Sequence, residues 1–448
     1  MEPVKYGVHD KPPFKRALPL ALQQVLTIFA GTLSGALMLA SGTGMNESET
    51  ALVIQCSMFI CCVASLIQCL GIPKLGIGAR LPIVTSGSYT LVAPMVVLAL
   101  NPKVGLSGTF GAALVGSLVL FLLGPIIIKY LYFLFTPTVT GSVVLSVGMC
   151  LMVSGYRHAV NGAPDSPEVL KCGLIALLTF LIALCFNTFA KGFLQNLSIL
   201  IAIAVGYLLC VALNMVDFTP VQTAAAVSLP QPVRFGLSFQ IGPIITICVV
   251  HIATIMENIG DTTSIVDSAE HRLPTKEELM RTMRGNGLSS MIAAVFNGLP
   301  VISSSANAGV IAMSGVPSRY VSALGGILMG LLSFFPKYAQ VFALMPKPVL
   351  GGITLIIMGR IAASGINIVS MAPMTKRNLT ILAVSIAIGI GGNYGLAYLS
   401  FLPETLVTLM TGIPGTALSA ILLNVVLPKS EEDKSYHAQY AKNMIGEN

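Results

Sequence analysis

The sequence predicts an all-α, polytopic membrane protein with fourteen transmembrane spans, arranged as two inverted repeats of seven spans each. Of its 448 residues, 54% are hydrophobic and only 10% are charged, whereas charged residues make up about 25% of a soluble domain. Apolar runs of about 20 residues, the length needed to cross a bilayer, recur from Leu18 to Leu427. In addition, two sequence patterns of the first half recur in the second half.

The fourteen spans follow one another with short polar connections. The first seven begin near residues 18, 50, 80, 105, 137, 169 and 195, and the second seven begin near 241, 279, 299, 320, 348, 378 and 403. The chain therefore divides into an N-terminal tail (1–17), a first repeat (18–225), a second repeat (226–428) and a C-terminal tail (429–448). Spans 3 and 10 are too short and too rich in Ser, Gly and Pro for ordinary helices, so we expect short extended segments there.

The repeat is seen in two pairs of spans. LPIVTS in span 3 matches LPVISS in span 10, and Gly141 and Gly155 of span 5 match Gly351 and Gly365 of span 12. Because a unit of seven spans has an odd count, its second copy enters the membrane from the opposite face. Inverted repeats are typical of secondary transporters, which place their site near the midplane where broken segments of the two halves meet.

Lysine and arginine predict the orientation. With the N-terminus inside, seventeen of these residues fall on the cytoplasmic side and six on the outer side, while Arg80 and Arg360 lie within spans. This bias predicts a multi-pass protein of the inner or plasma membrane with both termini in the cytoplasm. It also accounts for the net charge of +7 without nucleic acid as a partner. The oligomeric state stays open, with a homodimer as one candidate.

Glu257 and Asp261 are the only acidic residues deep inside an apolar span. A carboxylate at the bilayer centre costs about 2.5–3.5 kcal/mol and commonly marks a functional site. Their spacing of four residues places both side chains on one face of span 8. Two like charges at this distance in an apolar site cannot both ionise cheaply, which makes the pair a candidate for holding a proton or a cation.

Other polar residues cluster around the broken spans. The candidates are Gln23 and Gln24 in span 1, Ser86, Ser88 and Tyr89 in span 3, Asn286 in span 9, and Ser304, Ser305 and Asn307 in span 10. Hydroxyls, amides, carboxylates and one aromatic ring suit a planar, polar, uncharged or weakly acidic molecule. Arg80, at the edge of span 3, is the only cation expected near this set, which speaks against an inorganic anion. No nucleophile–base set, cofactor motif or metal spacing predicts an enzyme or a metal site.

Three motifs resemble the nucleobase–ascorbate transporter family over nearly the whole chain. They are GARLPIVTSGSYTLVAP in span 3, MENIGD in span 8 and FNGLPVISSSANAGVIAMSGVPSRYV across spans 9 to 11. The resemblance implies a core and a gate domain. It also implies that Glu257 binds substrate, that Asp261 is its polar partner, that Asn307 is the essential signature asparagine and that Tyr89 stacks on the base. The amides of spans 3 and 10, near Ser88 and Ser305, are expected to contact the ligand.

The chain departs from the family pattern at three positions. Ala306 replaces the amide or carboxylate that usually opens the signature, Asn286 replaces the acid found in span 9 of many purine members, and Gln24 replaces a histidine of span 1. Each change removes a titratable or hydrogen-bonding group. The coupling set is therefore expected to be Glu257, Asp261 and Asn286, with the contribution of Asn286 reduced.

These observations predict uptake of a nucleobase, with a purine such as xanthine or urate favoured, driven by a proton or sodium gradient. One alternative is a different substrate on the same fold, namely uracil, an ascorbate-like acid or an anion. Another is a facilitator without ion coupling.

Overall fold

In the computed structural model, the described residues are 6–131, 134, 136–160, 167–191, 193–395, 401, 406–407 and 410–435, and they are mainly helical. The helices of the first half are α1 (Phe14–Thr43), α2 (Glu47–Leu70), α3 (Tyr89–Leu100), α4 (Gly105–Leu131), α5 (Pro137–Ala159), α6 (Pro167–Phe189), α7 (Phe193–Asn196), α8 (Ser198–Ala212) and α9 (Thr219–Thr223). Those of the second half are α10 (Ile241–Glu270), α11 (Lys276–Val295), α12 (Ala306–Ser314), α13 (Arg319–Ser333), α14 (Pro336–Ala343), α15 (Lys347–Ser370), α16 (Lys376–Tyr394) and α17 (Gly412–Val426).

Thirteen of the fourteen predicted span starts have a helix or strand close to them, and the fourteenth, near residue 403, lies outside the described residues. The count of fourteen therefore stays a prediction. Within the described ranges, seven helices are long and apolar enough to cross a membrane, or eight if α13 and α14, which meet at a bend of 81°, form one span. The other apolar helices, such as α3, α8 and α17, are shorter than a full span. Local sequence sets several helix starts: Asn46 and Glu49 form a capping box at α2, and Thr275 and Glu278 form another at α11.

The extended segments predicted in spans 3 and 10 are present and pair with each other. β1 (Thr85–Gly87) and β2 (Val301–Ser303) are antiparallel, with Thr85 opposite Ser303. The pairing continues at both ends, where Ser304 N–H donates to the Val84 carbonyl (3.0 Å) and Ser88 N–H donates to Pro300 (2.8 Å). Backbone groups that would be unsatisfied in the middle of a membrane thus bond across the two halves.

The described helices form two groups. The strand-containing group comprises α1–α4, α9–α14 and both strands, and the flanking group comprises α5–α8 and α15–α17. This division corresponds to the core and gate domains that the family resemblance implies.

Glycines bring α5 and α15 into close contact inside the flanking group. A Cβ built on Gly141 would lie 2.7 Å from the Gly365 carbonyl oxygen, and one built on Gly351 would lie 2.9 Å from that of Gly155. Small residues are the usual means of close helix packing in membranes. Gly351 and Gly365 are the repeat equivalents of Gly141 and Gly155, so the two contacts are exchanged between the halves. Such exchange is what a two-fold relation between the repeats requires.

Candidate functional site

A cavity of about 370 Å³ lies between the two helix groups, beside the paired strands. The strand-containing group contributes α1, α10, the strands and the helix starts that follow them, and the flanking group contributes α5, α8 and α15. The volume falls within the range of small-molecule sites. The broken segments of the two halves therefore meet at a cavity.

Glu257 and Asp261 of α10 both line this cavity and are both half-buried. The fully buried Thr90 hydroxyl of α3 donates to Glu257 Oε2 at 2.5 Å. One carboxylate oxygen of Glu257 is thus held by the protein. The arrangement leaves acceptor capacity on both carboxylates for groups inside the cavity.

Tyr89, the first residue of α3, lines the cavity. Its hydroxyl donates to the Gly31 carbonyl of α1 at 2.7 Å. Because the hydroxyl is engaged with the backbone, the ring rather than the polar tip is offered to the cavity. A planar ligand could stack on such a surface.

The start of α12 forms the wall beside β2. Ser304, Ser305 and Ala306 line the cavity, and the side chains of Ser305 and Ala306 are exposed there. Ser305 also lies next to Asp261 of α10. A helix N-terminus presents backbone N–H groups and a partial positive charge, so this part of the wall favours carbonyl or anionic oxygens. Ala306 adds no polar group of its own.

Five of the candidate residues do not line the cavity, namely Gln23, Gln24, Ser88, Asn286 and Asn307. Gln24 is buried next to Gly325 of α13, Ser88 is buried directly after β1, and Asn307 is buried in the first turn of α12. The Asn307 amide nitrogen donates to the Pro82 carbonyl at 2.7 Å, so it joins α12 to the segment before β1. Their contact with a ligand stays a prediction.

Asn286 belongs to a buried hydrogen-bond network that joins α10, α11 and β2. Its amide nitrogen donates to Asn258 Oδ1 (2.6 Å) and to Ser303 Oγ (3.2 Å), while its oxygen accepts from Gln68 (2.7 Å). Asn258 follows Glu257 directly, and its Oδ1 also accepts from the Ser303 N–H. Asn286 thus positions the strand and α10 rather than facing the cavity, and its predicted part in coupling stays untested.

The expectation that Arg80 is the only cation near the site is wrong. Arg360 of α15 lines the cavity from the flanking group, together with Ser364 one turn later. The sequence did not reveal this because Arg360 and Glu257 are 103 residues apart (360 − 257), and only the packing of the two helix groups brings them to one cavity. Arg360 could have been identified from the sequence because, like Glu257, it is a charged residue in the middle of an apolar segment of membrane-spanning length.

Comparison with known proteins adds the family. A profile described as "Permease family" matches residues 15–397. The chain is 32% identical to the uric acid transporter UacT of Escherichia coli K12, with 96% of this chain and 88% of that protein covered. It is also 32% identical to the xanthine permease XanP of the same organism, with 95% of each chain covered.

A solved structure gives independent support for the architecture. The anion transporter Slc26a9, murine solute carrier 26 family member A9, in its inward-facing state matches 93% of this chain and 69% of that chain, with a TM-score of 0.64 and 11% identity. A likeness at this identity concerns the fold alone. It confirms the predicted inverted-repeat fold of a helical membrane transporter.

Proposed function

This chain belongs to the nucleobase–ascorbate transporter family, and we propose that it carries a nucleobase across a cell membrane, with a purine such as xanthine or urate as its substrate. The observation that carries the proposal is a carboxylate pair, Glu257 and Asp261, facing a cavity between the two helix groups. Relatives named for uric acid and for xanthine support the choice of a purine. The family consists of permeases, so the chain is a multi-pass membrane transporter and not an enzyme.

In this proposal, Glu257 accepts hydrogen bonds from ring N–H groups of the base. Thr90 holds one oxygen of the carboxylate, which fixes the direction of the remaining acceptor sites. The Tyr89 ring stacks on the base, and the backbone at Ser305 and Ala306 binds a ring carbonyl. A buried acceptor left without a donor costs about 1–3 kcal/mol, and more when it is charged, so a molecule without N–H donors at the edge that meets Glu257 is rejected.

Asp261 is the proposed site of ion coupling, one helical turn from Glu257. The pair shares one proton, or one sodium ion, in the substrate-free state and titrates as a unit. One cation moving inward through about 100 mV supplies about 2.3 kcal/mol, enough for roughly fiftyfold accumulation of a neutral base, whereas an anionic base would cancel this electrical term and would need the concentration gradient of the cation. Uptake therefore depends on pH if the ion is a proton, and Asp261→Asn shifts or removes that dependence.

The test is an uptake assay on cells that express the chain. Radiolabelled xanthine, urate, uracil and ascorbate are offered with and without proton and sodium gradients, and a vector-only strain is the control. The proposal expects saturable uptake of at least one purine that collapses with one of the two gradients. Uptake of uracil or ascorbate with no purine uptake would overturn the substrate, and uptake indifferent to both gradients would indicate a facilitator.

The proposed orientation has both termini in the cytoplasm, and the excess of Lys and Arg in the corresponding connections supports it. Reactivity of single introduced cysteines toward a membrane-impermeant reagent tests it. An introduced cysteine in either tail should react only after the membrane is opened.

A further inference from the structure

Arg360 is a charged residue of the candidate cavity that the proposed function does not yet use. It lies near the middle of α15, and Ile357, Ile361, Ser364 and Ile368 of the same helix line the cavity with it. These positions recur every three to four residues, so they form one helix face. The guanidinium therefore belongs to the cavity wall and not to the lipid-facing side of α15.

This guanidinium has no structural partner in the part of the chain that the structure describes. The ion pairs found there belong to Arg272, Arg281 and Lys434, near the cytoplasmic connections and the C-terminal end. Buried arginines elsewhere are satisfied differently: Arg319 donates to the Cys69 carbonyl, and Arg377 donates to Asn424. An arginine in the middle of a span is costly and is normally paired or functional. Arg360 is accessible from the cavity, and among the described residues it makes neither kind of contact.

Opposite walls of the cavity therefore carry opposite charges. Glu257 and Asp261 stand on α10 of the strand-containing group, and Arg360 stands on α15 of the flanking group. No ion pair within 4.0 Å joins them among the described residues. The carboxylates accept N–H groups, whereas the guanidinium fork donates to two neighbouring acceptors and prefers a negative charge. The exposed start of α12 at Ser305 adds a further partial positive charge.

A neutral base would satisfy the carboxylate side and leave the guanidinium without an anion. A planar base with N–H donors on one edge and a delocalised negative charge over its carbonyl oxygens on another would satisfy both. From this arrangement, and resting on the proposed purine transport, we propose that Arg360 is a specificity-determining residue that makes the cavity prefer the anionic form of an oxidised purine over a neutral purine.

The test compares two purines of opposite charge state on purified protein at one neutral pH. Urate is the anionic probe and hypoxanthine is the neutral probe, and equilibrium binding of each is measured to the wild type, Arg360→Gln and Arg360→Lys. Arg157→Gln, which removes an exposed arginine at the end of α5, controls for the loss of one positive charge. Use of one pH keeps the protonation of the protein the same for both probes.

Arg360→Gln should weaken urate binding by about tenfold or more, as expected for the loss of a hydrogen bond to a charged group. Its binding of hypoxanthine should stay within about twofold of wild type, which also shows that the variant is folded. Arg360→Lys keeps the positive charge but loses the paired N–H donors of the guanidinium. Its affinity for urate should therefore lie between those of the wild type and Arg360→Gln. Arg157→Gln should match the wild type for both probes.

Two results would overturn the inference while leaving the proposed function intact. One is an unchanged ratio of urate to hypoxanthine affinity in Arg360→Gln, and the other is an equal loss of both ligands, which would make Arg360 a structural or gating residue. A wild-type protein that binds neither probe, nor xanthine, would overturn the proposed function and this inference together.

Discussion

Removal of the Thr90 hydroxyl should impair substrate binding although Thr90 itself does not line the cavity. The hydroxyl lies 2.5 Å from Glu257 Oε2 and is fully buried, so no water can replace it without rearrangement. Thr90→Val keeps the branched shape of the side chain and deletes only the donor. A hydrogen bond to a charged group contributes about 1.5–3 kcal/mol, and each 1.4 kcal/mol is a factor of ten. The half-saturating xanthine concentration should therefore rise roughly tenfold to a hundredfold.

Initial uptake rates, measured against membrane abundance of each variant, check this expectation. Thr90→Ser restores a hydroxyl and should recover most of the affinity. Thr109→Val is the matched control, because the buried Thr109 hydroxyl of α4 donates only to the Gly105 carbonyl of its own helix, at 2.8 Å. Wild-type affinity in Thr90→Val, or an equal loss in Thr109→Val, would refute the idea that Thr90 acts by orienting Glu257.

Three further predictions concern packing, the pocket and the C-terminal segment. Gly365→Val should lower the amount of folded protein in size-exclusion profiles, because a Cβ there meets the backbone of α5, whereas Gly391→Ala has open space and should behave as wild type. Ala306→Gln should raise xanthine affinity in uptake competition, since it restores a polar arm at the cavity wall; unchanged affinity for every base would count against the purine assignment. Burial of Asp433 opposes its ionisation, but hydrogen bonds, chiefly from Ser430, outweigh this and lower the pKa of its carboxyl. Its contribution to stability is thus present above an unfolded pKa of about 4 and is lost as the pH falls through the folded value. Wild type should melt above Asp433→Asn at neutral pH, and the difference should shrink in acid; a constant difference would contradict this.

The sequence predicted those parts of the site that can be identified within a single segment of the chain. Glu257 and Asp261 stand out because a charge in an apolar span is visible without any tertiary information. The broken spans are visible because Ser, Gly and Pro interrupt an apolar run, and β1 and β2 occur where that composition placed them. The repeat pattern predicted that these two segments meet, and they pair directly.

The parts that sequence missed depend on helix rotation and on contacts between distant helices. Ala306 faces the cavity whereas Asn307, the next residue, turns into the protein and bonds Pro82. A step of one residue rotates the side chain by about 100°, and composition alone does not fix where that rotation starts. Arg360 reaches the site because α15, packed on α5 through glycine contacts inside the flanking group, faces α10 across the cavity.

The central claim is that a purine binds in the cavity at Glu257, and equilibrium binding of radiolabelled xanthine and urate to purified protein tests it most directly. Wild type, Glu257→Gln and Glu168→Gln are compared, the last removing an exposed carboxylate in the first turn of α6. We predict saturable binding by the wild type, unchanged binding by Glu168→Gln, and binding at least about tenfold weaker in Glu257→Gln. Wild-type affinity in Glu257→Gln, or a wild type that binds neither purine, would contradict the claim.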